Sequence, residues 1–278
     1  MDERRLSDAV DAPVRVYRAV PNTTDRVRRR GFDGAPHGTF AVAESLTAAV
    51  GRTGDDWQAP PGGVWSSTLL RPALDAERAG RLTVAGGLAA LDAVRSFGVD
   101  AELKWPNDVV VPDDGDGPRK LAGVLVERVI DEVPVAGKSV GEALGGDEGG
   151  PGELQFVVVG AGINADLDPE RLDVDGVTTM RAEVGSVDPT AVAAEYHDRL
   201  LARAAAAESE AGFADLLADW RAAAATLGER GRVRRRGDAP RIVGRARDVG
   251  EGGELLVETD DGERVAVRSG DCERLRRD

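Results

Sequence analysis

The sequence predicts an α+β fold: a mixed or antiparallel sheet with helices packed on it, followed by a small β-barrel-like module. Three observations lead there. Short apolar strand-like runs recur from Val14 to Val159, two helical stretches follow them, and beyond Leu227-Gly228 the pattern changes to short strands separated by turn signals. At 278 residues, 41% hydrophobic and 31% charged, the chain can build one large core with a minor module appended. The expected division is 12–227 for the main unit and 228–278 for the tail, whose core of about 50 residues is marginal alone and must lean on its neighbour.

Val14 to Val20 and Thr39 to Glu44 read as strands flanking a short helix, with Thr23 or Thr24 as its N-cap. Gly51 to Gly63 reads as a long glycine- and proline-rich loop, and Val64 to Leu70 as the next strand. Ala76 to Phe97 carries apolar residues at helical spacing and predicts a buried helix, against which Gly86-Gly87 argues locally. Further strands are expected at Lys104, Asp108 to Val111, Leu121 to Ile130 and Leu154 to Val159, and Pro134 to Gly152 reads as a solvated hairpin tip or insertion. Pro189 to Glu208, capped by Asp188 or Thr190, and Phe213 to Thr226 read as helices. In the tail, Leu255 to Thr259 and Arg264 to Val267 flank Asp260-Asp-Gly262 as a hairpin.

Fifty acidic against 36 basic residues leave a net charge of −14, which repels nucleic acid. No apolar run reaches the length of a spanning helix, and the N-terminal residues lack the apolar stretch of a signal peptide, so the expected location is cytoplasmic. One cysteine, Cys272, excludes an internal disulfide, and with two histidines the chain is poor material for a soft-ligand metal site. Scarce lysine and abundant acid suit a halophilic setting, where salt screens self-repulsion.

Only three lysines stand against 33 arginines, and two of them lie in Lys104-Trp-Pro-Asn-Asp-Val109 and Arg119-Lys-Leu-Ala-Gly-Val124. The first segment is a rigid turn that aims Asn107 and Asp108 into a shared space. The second opens the next strand, so that a cation and a carboxylate face each other across the pair, a pattern suited to a phosphate chain with a divalent metal. Gly123 permits close backbone approach to a ligand. Val157-Val-Val-Gly-Ala-Gly-Ile-Asn164 is an apolar strand ending in glycines and an amide, without the third glycine of a dinucleotide fingerprint. The third lysine, Lys138, reads as a solvated surface residue.

Together these segments resemble the central motifs of the biotin protein ligase family, in its form without a DNA-binding domain. Ala43-Glu44 through Trp57 to Pro61-Gly-Gly63 looks like the family's substrate loop, and Gly253 to Leu275 resembles its SH3-like C-terminal module. The resemblance implies a biotin/lipoate ligase-like catalytic domain and a two-step reaction: biotin and ATP give biotinyl-5′-adenylate, and a lysine of a carrier protein then takes the acyl group. It implies Lys120 and Arg52 as catalytic residues. On the biotin side it implies Asn22, Thr23, Thr24, Leu46, Val50, Gly51, Arg52, Lys120 and Gly123. On the ATP side it implies Arg52, Trp57, Trp105, Asn107, Asp108, Lys120 and Asn164, with Asp108 near Mg²⁺. The implied partner is the biotin carboxyl carrier domain of an acyl-CoA carboxylase, docking on an exposed sheet edge that can also support a homodimer. Nucleic acid and membrane are not expected as partners; about a dozen residues before the first strand are too few for a helix-turn-helix module.

The chain departs from the family pattern in its loop. Where the family carries Gln-Thr-Ala-Gly-Arg-Gly-Arg-Arg-Gly-Arg, this sequence has Leu46-Thr-Ala-Ala-Val-Gly-Arg-Thr-Gly-Asp55, losing three positive charges and one polar side chain. Two alternatives follow: a non-ligating paralogue that binds nucleotide or an acyl ligand as a sensor, and a ligase for another acid such as lipoate or octanoate.

Overall fold

The computed structural model describes residues 1–51, 57–113, 117–131, 133–136, 152–168, 170, 172, 174–234, 241–268 and 271–274. Its main sheet is built from β1 (Val14–Tyr17), β2 (Phe40–Ala43), β3 (Val64–Leu70), β4 (Glu102–Lys104), β5 (Asp108–Val111), β6 (Arg119–Ile130), β7 (Val133–Ala136) and β8 (Leu154–Ile163). The strand order is β1-β2-β3-β8-β6-β5-β4, with β7 added beside the far half of β6. Among the described residues only β1 and β2 pair as parallel strands and the other strand pairs of this sheet are antiparallel, so the sheet is mixed.

Side chains alternate across the strands, which gives the sheet two different faces. On one face Ala122, Val124, Val157, Val159, Ala161 and Ile163 join the main core with α1 (Glu3–Ala9), α3 (Arg81–Ser96), α4 (Met180–Val184), α5 (Pro189–Ala207) and α6 (Glu210–Ala222). The paired glycines of α3 find their reason here. A Cβ on Gly86 would stand 2.8 Å from Val124 Cγ1, so the helix approaches β6 more closely than alanine allows. On the opposite face lies α2 (Thr23–Phe32), where Val27 packs with Ala41, Leu69, Phe156 and Val158 in a second cluster.

Several element ends differ from expectation, and each has a local cause. The N-cap of α2 is Asn22, whose side-chain oxygen accepts from the Asp25 N–H at 2.7 Å, rather than either threonine. Helix α3 begins at Arg81 after a single 3-10 turn, Arg78–Gly80, instead of at Ala76. Helix α6 starts at Glu210, because the Ser209 hydroxyl accepts from the Gly212 N–H. Asp188 caps α5 as expected, accepting from Thr190 N–H at 2.9 Å. Strand β8 continues through its glycines to Ile163, since β3 and β6 pair it on both sides. The solvated segment expected from Pro134 is corrected at its start: Pro134 to Ala136 belong to β7, paired on β6. Residues 137–151, with Lys138, lie outside the described residues.

The tail forms a separate antiparallel sheet of β9 (Arg230–Arg234), β10 (Ile242–Val249), β11 (Leu255–Thr259), β12 (Arg264–Val267) and β13 (Asp271–Arg274), ordered β12-β11-β10-β9-β13. Its β11–β12 hairpin turns at Gly262 with φ +87°, a conformation that glycine adopts without strain. The sheet does lean on the main unit. Trp105 Nε1 donates to Gly253 O at 2.9 Å, and Arg221 on α6 pairs with Asp248 of β10 at 2.6 Å. Among the described residues no helix is long and apolar enough to cross a membrane.

Candidate active site

A bulge in β6 creates the first part of the site. Asp108 opposes Gly123 and Val109 opposes Ala122, but Val110 opposes Lys120, so Leu121 is an extra residue. Without it Lys120 would point into the helix-packed core. With it, Lys120 shares a face with Asp108 and Gly123. Lys120 Nζ reaches Asp108 Oδ1 at 2.7 Å and lies 4.8 Å from the centre of the Trp57 ring. A Cβ on Gly123 would stand 3.3 Å from Lys120 Cε and 3.4 Å from Asp108 Oδ1, so the bare backbone makes room for the pair.

Beside this pair runs a strip without side chains. Gly162 is flanked by Gly123 on β6 and Trp65 on β3, and Gly160 by Leu125 and Ser67. A Cβ on Gly162 would come within 3.2 Å of the Trp57 indole, and one on Gly160 within 3.3 Å of Thr24 Oγ1. The two glycines are about 7 Å apart along the strand, with the lysine and indole at one end and hydroxyls at the other. The Trp57 indole N–H is buried and finds no acceptor among the described residues. Trp65 packs edge-on against Trp57 at 6.5 Å and completes an apolar wall with Leu46 and Ala49.

The far end is polar. Thr23 Oγ1 and Thr24 Oγ1 stand 2.8 and 3.2 Å from Ser67 Oγ, and Ser67 is fully buried. One turn further along α2, Arg28 donates to both oxygens of Glu127 on β6 at 3.0 Å and also pairs with Asp25. Burial pushes the Glu127 carboxyl above its ordinary range, and the Arg28 guanidinium opposes that rise. Ser67 and Glu127 were not anticipated. Every residue of β3 is buried, so its sequence carries no alternation to show which hydroxyl faces a ligand.

Of the residues expected at the site, the structure gathers Thr23, Thr24, Trp57, Asp108, Lys120 and Gly123 around the strip. Asn107 donates its side-chain Nδ2 to Val124 O at 2.5 Å and so fastens the turn to β6, while Asp108 faces Lys120. Asn22 is engaged at both ends with Asp25, through its capping oxygen and a 3.0 Å bond from Nδ2. Trp105 is 3% exposed and holds the tail sheet through Gly253. Asn164 donates to Thr178 O at 2.9 Å and so ties down the segment beside Lys120, whose own N–H donates to Gly176 O at 2.7 Å. Leu46 is in the apolar wall, Val50 is exposed and Gly51 is half-buried, while Arg52 lies outside the described residues. Among the described residues no group of three or more metal-binding side chains converges.

The sequence and the fold have known counterparts. Residues 17–143 match the model of the biotin/lipoate A/B protein ligase family, and residues 226–275 that of the biotin protein ligase C terminal domain. The biotin–[acetyl-CoA-carboxylase] ligase of Mycobacterium tuberculosis is 29% identical over 99% of this chain and 96% of its own length. The bifunctional ligase/repressor BirA of Bacillus subtilis is 24% identical, over 89% of this chain and 70% of its own. The structure is similar to the biotin protein ligase from Aquifex aeolicus in complex with biotin and ATP, with a TM-score of 0.73 and 22% identity over 95% of this chain and 99% of that one.

Proposed function

The chain belongs to the biotin/lipoate A/B protein ligase family, and from that premise we propose that it activates biotin with ATP and transfers it to a lysine of a biotin carboxyl carrier domain. In the first step an oxygen of the biotin carboxylate attacks the α-phosphorus of ATP. The bond from that phosphorus to the bridging oxygen breaks, and pyrophosphate leaves. In the second, the carrier's lysine amine attacks the acyl carbon, an amide forms, AMP departs and the amine gives up a proton. Both reactants of the first step are anions, so positioning and positive charge must lower the barrier.

The observation that carries biotin as the acid is the hydroxyl cluster at the polar end of the glycine strip. Thr23, Thr24 and Ser67 bring three O–H protons, and two are used in the contacts among them. One donor and several lone pairs remain. A ureido group, one carbonyl flanked by two N–H groups, complements that set. An alkyl acid such as octanoate would leave that remaining donor buried without a partner, at about 1 to 3 kcal/mol. With the ring end held there, the bare strip of Gly160 and Gly162 takes the aliphatic chain and the carboxylate arrives beside Lys120. Its ammonium can then leave Asp108 for the carboxylate and α-phosphate, and Asp108 is the carboxylate that would hold Mg²⁺ on the phosphates. That ion supplies charge neutralisation of the phosphate chain, and one protein carboxylate suits it, because Mg²⁺ on nucleotides keeps most of its ligands from phosphate and water. The proposal takes residues 12–227 as the catalytic unit, 228–278 as its appended module, and the cytoplasm as the setting.

Biotin-dependent ATP–pyrophosphate exchange in high KCl with Mg²⁺ tests the reading. Exchange with biotin, its loss in Lys120→Ala, and no exchange with octanoate or lipoate are expected. A folded chain that binds ATP and exchanges with octanoate but not biotin overturns it.

A further inference from the structure

We propose that Arg28, clamped between Glu127 and Asp25, is a positioning residue that fixes the first turn of α2 over the hydroxyl end of the proposed acid site. This rests on the assignment of that end to the acid's ring. The connection is continuous. Arg28 Nη1 donates to Oε1 and Oε2 of Glu127, each at 3.0 Å, and its other terminal nitrogen pairs with Asp25. Asp25 in turn accepts from Asn22 Nδ2 at 3.0 Å and donates its N–H to Asn22 Oδ1 at 2.7 Å. Strand β6 is thus linked through one guanidinium to the N-cap of α2, and the two residues between cap and Asp25 are Thr23 and Thr24.

Placement argues that the link sets a ligand-binding distance. Thr24 and Arg28 are four apart and share a face of α2. On β6, Glu127 follows Leu125 at the next position on the same face, and Leu125 opposes Gly160, the glycine under Thr24 Oγ1. The ion cluster therefore stands directly beside the hydroxyls and spans the same gap between helix and sheet. Stability gives no reason for charges at this point. The neighbouring contacts of α2, Val27 and Gly31 against Leu69, Val158 and Phe156, are apolar, and a buried ion pair adds little over an apolar one. A guanidinium that holds Glu127 through one terminal nitrogen and Asp25 through the other supplies fixed geometry, which an apolar contact does not. The loop that resembles the family's substrate loop has Leu46 in place of a polar residue, which leaves the Thr23, Thr24 and Ser67 hydroxyls with a larger share of ring recognition and makes their spacing matter more.

The test uses the whole chain with Arg28→Met, Arg28→Lys and the double variant Arg28→Met/Glu127→Gln, which leaves no unpaired buried charge. In pyrophosphate exchange, KM for biotin is expected to rise about tenfold in Arg28→Met and in the double variant, with KM for ATP within about twofold. Arg28→Lys should fall between, since an ammonium cannot grip two carboxylates in a plane. Independently, in ligand-free protein the backbone amides of Asp25 to Arg28 should exchange hydrogen about tenfold faster in the double variant than in wild type. Unchanged amide exchange overturns the clamp itself. Faster exchange with an unmoved biotin KM overturns its role in binding. A wild-type chain inactive with biotin overturns the functional reading, and the amide measurement still decides whether the clamp exists.

Discussion

At the scale of single residues the proposed function divides the site into one charge expected to act on the reaction and one hydroxyl expected to select the substrate. Lys120 is the cation that the β6 bulge brings beside Asp108, 2.7 Å away, and beside the glycine strip. Lys120→Ala should lower kcat for adenylate formation by about 10²- to 10³-fold, the range seen when one donor to a developing charge is removed, as measured by single-turnover release of pyrophosphate. A tenfold loss or less would demote it to a binding contact. Ser67 is the hub of the hydroxyl cluster and should behave differently. Ser67→Ala removes one binding contact far from the reacting carboxylate, so biotin KM should rise about tenfold with kcat held within about twofold. If kcat and KM both stay fixed, the ring end lies elsewhere. Lys120 was legible in the sequence because lysine is rare in this chain and its motif is distinctive. Ser67 was not, and the amides of Asn107 and Asn164 were legible only as residue types. Sequence gives no sign of whether an amide faces a ligand or a neighbouring carbonyl, and here both face carbonyls, Val124 O and Thr178 O.

At the scale of elements, the four longer helices and most of the strands were readable, whereas the order of the strands, the short helices Glu3–Ala9 and Met180–Val184, and the ends and attachments depended on contacts between distant segments. The extension of β8 through Gly160 and Gly162 is one case, because glycine argues against a strand until neighbours on both sides pair it. Trp105 is another: its indole N–H fastens the tail sheet at Gly253 O, an attachment its motif did not announce. Trp105→Phe keeps a ring in the core and deletes that bond. The expected loss is about 1 kcal/mol, or about 2 to 4 °C in Tm by calorimetry, and no loss would mean the tail is held without it. His197 on α5 gives a pH-dependent counterpart. It is fully buried, its Nε2 stands 2.9 Å from Gly38 O, and burial lowers its pKa below 6.5 against a smaller upward pull from that carbonyl and Asp198. Above pH 6.5 the ring is neutral in both states and its contribution is complete. As pH falls from 6.5 toward the folded value the unfolded chain binds a proton that the folded chain refuses, so stability is lost. Tm measured from pH 8 to 5 should fall more steeply below 6.5 in wild type than in His197→Gln, and parallel curves would rule the histidine out as the cause.

At the scale of the whole molecule the net charge of −14 sets two electrostatic effects against each other. Paired charges are numerous, and many are half-exposed contacts such as Arg5–Asp188, Arg221–Asp248 and Arg230–Asp260, each 2.6 Å long. Salt weakens such pairs, but each is worth only about 0 to 1 kcal/mol, and a contact of that length is no longer than the screening distance of about 3 Å at 1 M. Repulsion among the surplus carboxylates acts over longer separations, of the order of the screening distance of about 10 Å at 0.1 M, and is therefore the larger casualty of added salt. Arginine strengthens the asymmetry, since its planar fork holds a carboxylate by geometry as well as by charge. The folded chain, which concentrates the surplus charge, gains more from screening than the extended unfolded chain does. Tm should consequently rise between 0.1 and 2 M KCl, by an amount that sucrose at equal osmolality does not reproduce at low salt. A Tm that stays level or falls with KCl would show that the ion pairs, rather than the surplus charge, govern how this molecule responds to salt.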